Sequence, residues 1–594
     1  MTPWFNPVRE LDALLRTAAA ATPCFNGAQN FDPEIRPADP RFGDYQSNGV
    51  LPFAKSSRAN PRALAAALLS TLEKETACAP AFFSAEIAGP GFINFKFTPK
   101  FLDEWLAQHA SPDAIRAGAS AFYAGRRVVI DYPSANTAKQ MHVGHLRPMI
   151  IGEAIARLLQ FCGANLVRDN HIGDWGTNFG ILLFALKRSA AQPETLSLDD
   201  IERLYKEGSA LTKADPAGLD AARAELVKLQ TGDPANTALW HRIVSISTSA
   251  FQEIYDLLNI HPDVTLGESF YQDKVARIYH ELTATGLAEE SDGALVVWHD
   301  EHPRFSRTST PPQPFIIRKK DGGSNYASTD LATILYRLDH FHADECVYVT
   351  DARQQDHFQQ LFLTAQKWFN ATGRTLPTLR HVWFGTILGE DGRAIKTKSG
   401  DPLRLKTLLD EAIERASAII DEKNPDLPPD ERLHIAKTVG IAAVRYADLS
   451  QNRILDYAFS WKKLLAFEGN TAPYLLYAIA RIRSIFRKAD ASLPAVSPAS
   501  ADRAPLETPT EIALARKLLA FPAALEQACS ELRPHFLCSS LYEIASAYSA
   551  FNNADKVLVD APDIRAKRLF LCARTADILS TGLHLLGIEP LERM

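Results

Sequence analysis

Arg126-Arg127-Val128-Val129-Ile130-Asp131 runs into a break at Pro133 and the polar Ser134-Ala135-Asn136-Thr137, then into Ala138-Lys139-Gln140-Met141-His142-Val143-Gly144-His145-Leu146-Arg147. The opening six residues read as a short apolar strand leaving a basic pair, and His145 to Phe161 carries helical periodicity. Strand, loop and helix in that order make the first unit of a parallel α/β sheet, which binds ligands beyond the carboxyl ends of its strands. The chemistry suited to His142-x-Gly144-His145 is nucleotidyl transfer. Histidines three apart at a helix start share one face, so both imidazoles reach the same phosphate. The free N–H groups and positive dipole end of the helix attract an anion. Gly144 removes a side chain that would keep a flat adenine off the backbone. Together these groups can stabilise charge on an α-phosphate while a carboxylate attacks and pyrophosphate leaves. Taken alone, the same four residues also suit helix caps or solvated surface histidines.

Outward from this unit, an apolar Ala164–Val167 strand leads into a second turn, Asp169-Asn170-His171-Ile172-Gly173-Asp174-Trp175-Gly176. Residues 190–280 are charged and helix-rich without site motifs, which suits an insertion. Sheet-like segments return at Ala294–Trp298, Phe315–Ile317 and Cys346–Thr350, and after Leu403 the chain reads as almost wholly helical. Upstream, helical patterns at Val8–Ala20 and Pro61–Lys74 and the alternating Gly91–Phe97 describe a small α/β unit. Ala491–Pro509, rich in Pro, Ala and Ser, is the best linker. The fold class expected is α/β: a Rossmann-type parallel sheet with a helical insertion, a small N-terminal α/β domain and an all-α C-terminal domain.

The 594 residues exceed one core and suggest roughly three to five domains. With 46% hydrophobic and 23% charged residues the composition is that of a soluble globular protein. No run long and apolar enough to span a membrane occurs, and the N-terminus lacks a secretory pattern. The seven cysteines are scattered, none in a C-x-x-C pair, so neither protein-bound zinc nor a disulfide framework is expected. A reducing, cytoplasmic location fits. A net charge of −6 leaves nucleic-acid binding to local basic patches.

Ser134 to Arg147 resembles the nucleotide-binding segment of the arginyl-tRNA synthetases, which are class I enzymes. Gly173-Asp174-Trp175-Gly176-Thr177-Asn178-Phe179-Gly180 is similar to the family's G-D-x-G-T-Q-F-G, with Asn178 where Gln is usual. The terminus Gly582-Leu583-His584-Leu585-Leu586-Gly587-Ile588-Glu589-Pro590-Leu591-Glu592-Arg593-Met594 also resembles the family's. The resemblance implies formation of arginyl-adenylate from L-arginine and ATP with magnesium, then transfer of arginine to the 3′ end of tRNA(Arg). It further implies that tRNA is needed for the activation step. No membrane partner and a monomer are expected.

By the same resemblance, His142, His145 and Lys139 are catalytic, and Gly144, Gly173, Asp174, Gly176 and Thr177 bind ATP. Ile395-Lys396-Thr397-Lys398-Ser399, between glycines, stands where class I enzymes carry a mobile K-M-S-K-S loop. Its first lysine is absent, so Lys398 and Lys396 with Ser399 are the candidates for the departing phosphates, and Lys139 can supply part of the missing charge. Carboxylates are the natural acceptors for a guanidinium fork. Tyr326 and Asp330, four apart at a helix opening, face one pocket and match the family's side-chain contacts. Asp131, Ser134, Asn136 and Gln354 complete the expected arginine site. The domain reading is 1–115 for an additional tRNA-binding domain and 116–402 for the catalytic domain, with an insertion at about 185–300. Residues 403–465 read as a helical stem-contact region and 466–594 as a helical anticodon-binding domain. Arg481-Ile482-Arg483 to Lys488, the trio Arg565, Arg568 and Arg574, and Tyr45-Gln46-Ser47-Asn48 are the candidate RNA contacts. A class I synthetase for another amino acid and a non-catalytic RNA-binding relative are the rivals. Intact His142, His145, Lys398 and Asp330 argue against the second.

Overall fold

The apolar run Val128–Ile130 forms the strand Arg127–Asp131, flanked on both sides by parallel neighbours. The computed structural model describes residues 4–25, 30–39, 41–75, 82–320, 322–393, 395, 402–490 and 503–594. These fall into two compact units, one of residues 123–419 and 447–464, the other of residues 1–122, 420–446 and 465–594.

In the first unit four parallel strands lie in the order Thr378–Phe384, Glu345–Asp351, Arg127–Asp131, Asn165–Asp169. Sequence order therefore reverses between Arg127–Asp131 and Glu345–Asp351. That reversal opens a crevice at the strands' carboxyl ends, where this topology places ligands. Because side chains alternate along a strand, Val129, Cys346 and Tyr348 face a core shared with helices Tyr326–Phe341 and Gln355–Ala371. Helix Leu146–Phe161, buried almost all round, packs on the same strands. The insertion forms helices Leu198–Ala214, Pro216–Gln230 and Pro234–Leu257, with their own core against helix Thr177–Arg188. A three-stranded antiparallel sheet, Ala288–Ser291, Ala294–Val297 and Phe315–Arg318, follows. The strand Thr378–Phe384 was not expected from the sequence, because Thr-Leu-Arg-His-Val-Trp-Phe shows no clean alternation. Ile387–Leu388 pairs in parallel with Tyr457–Ala458, a two-residue strand in the otherwise almost wholly helical chain after Leu403.

In the second unit an antiparallel four-stranded sheet, ordered Ile35–Pro37, Tyr45–Ser47, Phe92–Phe97, Phe83–Ala88, packs with helices Pro7–Ala21 and Pro61–Glu75. Helices Ala472–Lys488, Pro509–Leu519, Phe521–Ser530, His535–Ala554 and Pro562–Leu585 also belong to it. Polar links join its distant segments: Asn6 Nδ2 donates to Glu526 at 2.6 Å, Arg516 meets Asp44 at 2.6 Å, and Arg503 meets Asp103 at 3.3 Å. The N-terminal segment and the C-terminal helices thus share one unit. No described helix is long and apolar enough to cross a membrane. Most of the Ala491–Pro509 linker lies outside the described residues.

Candidate active site

Beyond Asp131 the chain is fastened to the second turn by backbone bonds. Thr137 N donates to Gly173 O at 3.0 Å and Gly173 N to Ala135 O at 3.1 Å. Gly173 is required by close approach, since a Cβ there would sit 2.0 Å from Asn136 Oδ1. The backbone of His142 pairs antiparallel with Arg404, with Val143 N donating to Leu403 O and Leu405 N to Met141 O, each at 2.9 Å. Residues 142–145 and the chain just after residue 401 are therefore held side by side. A cavity of about 660 Å³ opens between them and the strand ends, lined by Ser134, Asn136, His142, Gly144, His145 and Gln354 among others.

The motif is a single 3₁₀ turn, Val143–His145, ahead of helix Leu146–Phe161. Gly144 N donates to His142 Nδ1 at 3.1 Å, and His142 N donates to His145 Nδ1 at 3.1 Å. Each Nδ1 is thus an acceptor, which puts the proton of the neutral ring on Nε2 in both histidines. Burial pushes His145 down to about 4, helped by the fields of His142 and Lys139. Burial also lowers His142, and Arg353 and Lys139 add to it. Near neutral pH the pair is uncharged and presents two Nε2–H donors, with ring centroids 4.1 Å apart. Gly144 serves this geometry too: a Cβ would lie 2.8 Å from the His142 ring. Arg147, fully buried, locks the helix start through Asp448 at 3.0 Å and the Leu455 carbonyl at 3.2 Å.

A second cluster surrounds helix Tyr326–Phe341. Its cap is Asn325, boxed with Ser328, so Asp330 is not a capping residue. Asp330 Oδ2 instead meets His357 Nε2 at 2.6 Å, and the His357 ring lies edge-on to Tyr326 at 4.7 Å. Tyr326 itself is 61% exposed, poised at the rim. Glu268 joins this field: burial raises its carboxyl to about 7, with Asp330 and Asp174 reinforcing the rise and His171 and Lys319 opposing it. Sequence reasoning missed Glu268, His357 and Arg353. Glu268 sits in a region without a motif, and only the fold brings it here. The agent is Asp174, whose carboxylate accepts from Ser269 N at 2.9 Å and Ser269 Oγ at 2.6 Å and so fixes the Glu268 turn.

Other expected residues are engaged inside the fold. Asp131 lies opposite Asp169 in the parallel register. Fully buried Arg337 bridges them, Nη2 reaching Asp131 Oδ2 at 2.6 Å and Asp169 Oδ2 at 2.7 Å. Asp131 also accepts from Ser134 Oγ at 2.5 Å. Arg337 is on the helix that carries Tyr326 and Asp330, so the two aspartates hold that helix against the strand ends. Asp131→Asn is accordingly expected to lower the unfolding free energy by about 1.5–3 kcal/mol, read by urea titration. A loss of arginine affinity with unchanged stability would instead mean direct contact with the amino acid. Thr177 is exposed at the first turn of helix Thr177–Arg188, and Gly176 caps that helix with φ 111°. Asn178 accepts from Tyr205 OH at 2.9 Å. Lys139 is exposed above the Tyr205 ring, at 5.2 Å. Lys396, Lys398 and Ser399 lie outside the described residues.

The candidate RNA contacts sort unevenly. Arg568 is bound to Glu511 at 3.0 Å and Asp555 at 2.8 Å, and Arg574 to Asp577 at 3.3 Å, so both are committed within the fold. Arg483 pairs with Glu592 at 3.0 Å. Arg487, Lys488 and Arg565 remain exposed. Tyr45 and Ser47 are buried strand residues, and Gln46 donates to Asn94 Oδ1 at 2.7 Å.

Three family models match the chain. Residues 116–461 match the class I (R) tRNA synthetase catalytic domain, 475–594 the DALR anticodon binding domain, and 10–97 the arginyl tRNA synthetase N terminal domain. The arginine–tRNA ligase of Laribacter hongkongensis is 43% identical over 592 residues, covering 98% of this chain and all of the relative. That of Cellvibrio japonicus is 44% identical, covering 93% and 94%. Among solved structures, the arginyl-tRNA synthetase of Plasmodium falciparum superposes with a TM-score of 0.83 at 26% identity, covering 99% of each chain. The Thermus thermophilus arginyl-tRNA synthetase gives 0.78 at 25%, covering 99% of this chain and all of that one.

Proposed function

The chain belongs to the arginyl-tRNA synthetases and joins arginine to tRNA with ATP as co-substrate, and from that premise we propose how its residues divide the work. The observation that carries the proposal is the neutral His142–His145 pair, each Nδ1 engaged by a backbone N–H so that the proton sits on Nε2, among the residues that line a cavity beside the switch point of the sheet. ATP lies with its α-phosphate on these two donors and on the open side of Gly144. Neutral donors suit this step, because they follow charge as it develops on the phosphate without a proton changing hands. Magnesium enters as the counterion of the nucleotide. Lys139, and Lys396, Lys398 and Ser399 of the second loop, hold the departing pyrophosphate. Gly173, Asp174 and Gly176 shape the turn beneath the nucleotide, and Thr177 opens the helix behind it.

Arginine's guanidinium is taken by Asp330 and Glu268, with Tyr326 closing over it, while Asn136, Ser134 and Gln354 meet its backbone end. Asp131 acts through Arg337 and Ser134. Glu268 makes this site pH-dependent. A carboxyl raised to about 7 is largely protonated at pH 6, and a bound cation favours its ionised form. Arginine binding therefore releases a proton below pH 7, and KM for arginine falls as pH rises from 6 to 8, by up to about tenfold per unit at the acid end. Glu268→Gln flattens that dependence; a Gln variant with the wild-type slope would remove Glu268 from the site. The same group makes folding stability decline as pH rises from about 4.5 through 7, because the folded chain binds the extra proton there.

For the tRNA, residues 466–594 serve the anticodon arm, 1–115 the outer corner of the L, and 403–465 the stem, with Arg487, Lys488 and Arg565 among the phosphate contacts. Activation awaits tRNA. The enzyme works as a cytoplasmic monomer. ATP–pyrophosphate exchange with each amino acid, with and without tRNA, tests the reading: exchange should require arginine and tRNA together. Exchange at full rate without tRNA would overturn the dependence, and exchange with another amino acid would overturn the pocket.

A further inference from the structure

One face of helix Leu198–Ala214 touches the flanks of both phosphate-binding segments. Asp199, Glu202 and Tyr205 recur at three-residue spacing and project on one side. Asp199 accepts from Gln140 Nε2 at 2.8 Å and pairs with Arg404 at 2.9 Å, and Glu202 reaches Arg404 at 4.0 Å. Gln140 and Lys139 lie two and three residues before His142, and Arg404 is the residue whose backbone pairs with His142. At the end of the stripe the Tyr205 ring lies under Lys139 Nζ, 5.2 Å from centroid to nitrogen. That ring is anchored, since its hydroxyl donates to Asn178 Oδ1 at 2.9 Å.

Lys139 itself hangs from a fixed point. Ala138 is buried in the insertion's core, takes a left-handed φ of 65°, and donates its N–H to Ser247 Oγ at 3.0 Å. With its backbone set, the direction of the lysine is decided by what its ammonium rests on. From the ring, that ammonium still lies in electrostatic range of His142 and His145, whose basicity it lowers.

We propose that Tyr205 is a positioning residue for adenylate formation: its ring holds the Lys139 ammonium beside the histidine pair, where the phosphates of ATP arrive. This rests on Lys139 serving the phosphates. A free lysine would have to surrender its rotamer freedom on each encounter with ATP, whereas a lysine lodged on a fixed aromatic face is already directed. Asn178, the departure from the family's usual glutamine, gains a purpose here as the acceptor that steadies the ring.

The test is a double-mutant cycle on the full chain, reading ATP kcat/KM in pyrophosphate exchange with tRNA and arginine present. Tyr205→Leu is expected to lower it about two- to fivefold, the size of an exposed cation–π contact, with KM for arginine unmoved. Tyr205→Phe, which keeps the ring, recovers most of the loss. In a Lys139→Ala background, Tyr205→Leu adds nothing. An equal loss with and without Lys139 would show that the ring acts through the packing of the insertion, and would overturn the proposal. If Lys139→Ala alone leaves the ATP parameters at wild-type values, the assignment of Lys139 to the phosphates falls, and the perch with it. Should Tyr205→Leu melt the insertion, Asn178→Ala replaces it, freeing the ring without removing it. Its smaller loss must likewise vanish without Lys139.

Discussion

Asp330→Asn is expected to lower kcat/KM for arginine by about 10²- to 10³-fold, with ATP binding nearly intact. The carboxylate stands mostly buried on helix Tyr326–Phe341, tied to His357 at 2.6 Å and flanked by Glu268. A guanidinium delivered there finds a charge already stripped of most of its water, so the pair is worth more than any surface ion pair. Removing one partner of a largely buried, hydrogen-bonded charge pair costs roughly 2–5 kcal/mol, most of it the penalty of leaving the other charge unmatched. The asparagine keeps size and shape and supplies N–H groups that point at the guanidinium's own donors. Initial-rate exchange kinetics over a range of arginine concentrations give the number; a loss below about fivefold would place the guanidinium elsewhere.

His145→Ala is the second large effect. The imidazole is held neutral near pH 7, its Nδ1 takes the His142 N–H so that Nε2 carries the proton, and the residue lines the cavity. If that donor strengthens as charge gathers on the α-phosphate, its removal lowers kcat for activation by about 10²- to 10³-fold while KM for arginine moves little. His142→Ala should resemble it and combine with it less than additively. The two rings sit in one hydrogen-bonded turn with centroids 4.1 Å apart and serve the same phosphate, so their contributions are coupled. A pre-steady-state burst of pyrophosphate at the wild-type rate in His145→Ala would refute the role.

Much of this site was legible in the linear sequence because its parts are local. The strand before Asp131, the His142–His145 spacing and the Tyr326/Asp330 pair are each set within one element and its period. The less legible parts are long-range. Glu268 comes into the field of Asp330 because Asp174, 95 positions away from Ser269, fastens its turn. Asp131 is expected among the arginine ligands, and no spacing rule foretells the buried Arg337, 206 positions later, that bonds its carboxylate. Arg568 and Arg574 looked like a basic RNA face, and the packing of their helix turns both onto acidic partners. The joining of the N-terminal sheet with the C-terminal helices rests on pairs such as Arg516–Asp44, for which no spacing rule exists. Residues 396–401 carry expectations that lie outside the described residues.

Recognition of arginine by charge is measured most directly as the ratio of kcat/KM for arginine to that for citrulline. Citrulline has the same length with a neutral urea in place of the guanidinium. Measured by tRNA-supported pyrophosphate exchange, the wild-type ratio should reach about 10³ or more, because citrulline brings no positive charge to Asp330 and Glu268. In Asp330→Asn it should collapse toward about ten. A wild-type ratio near unity, or a ratio that Asp330→Asn leaves unchanged, would contradict the assignment of this pocket to arginine.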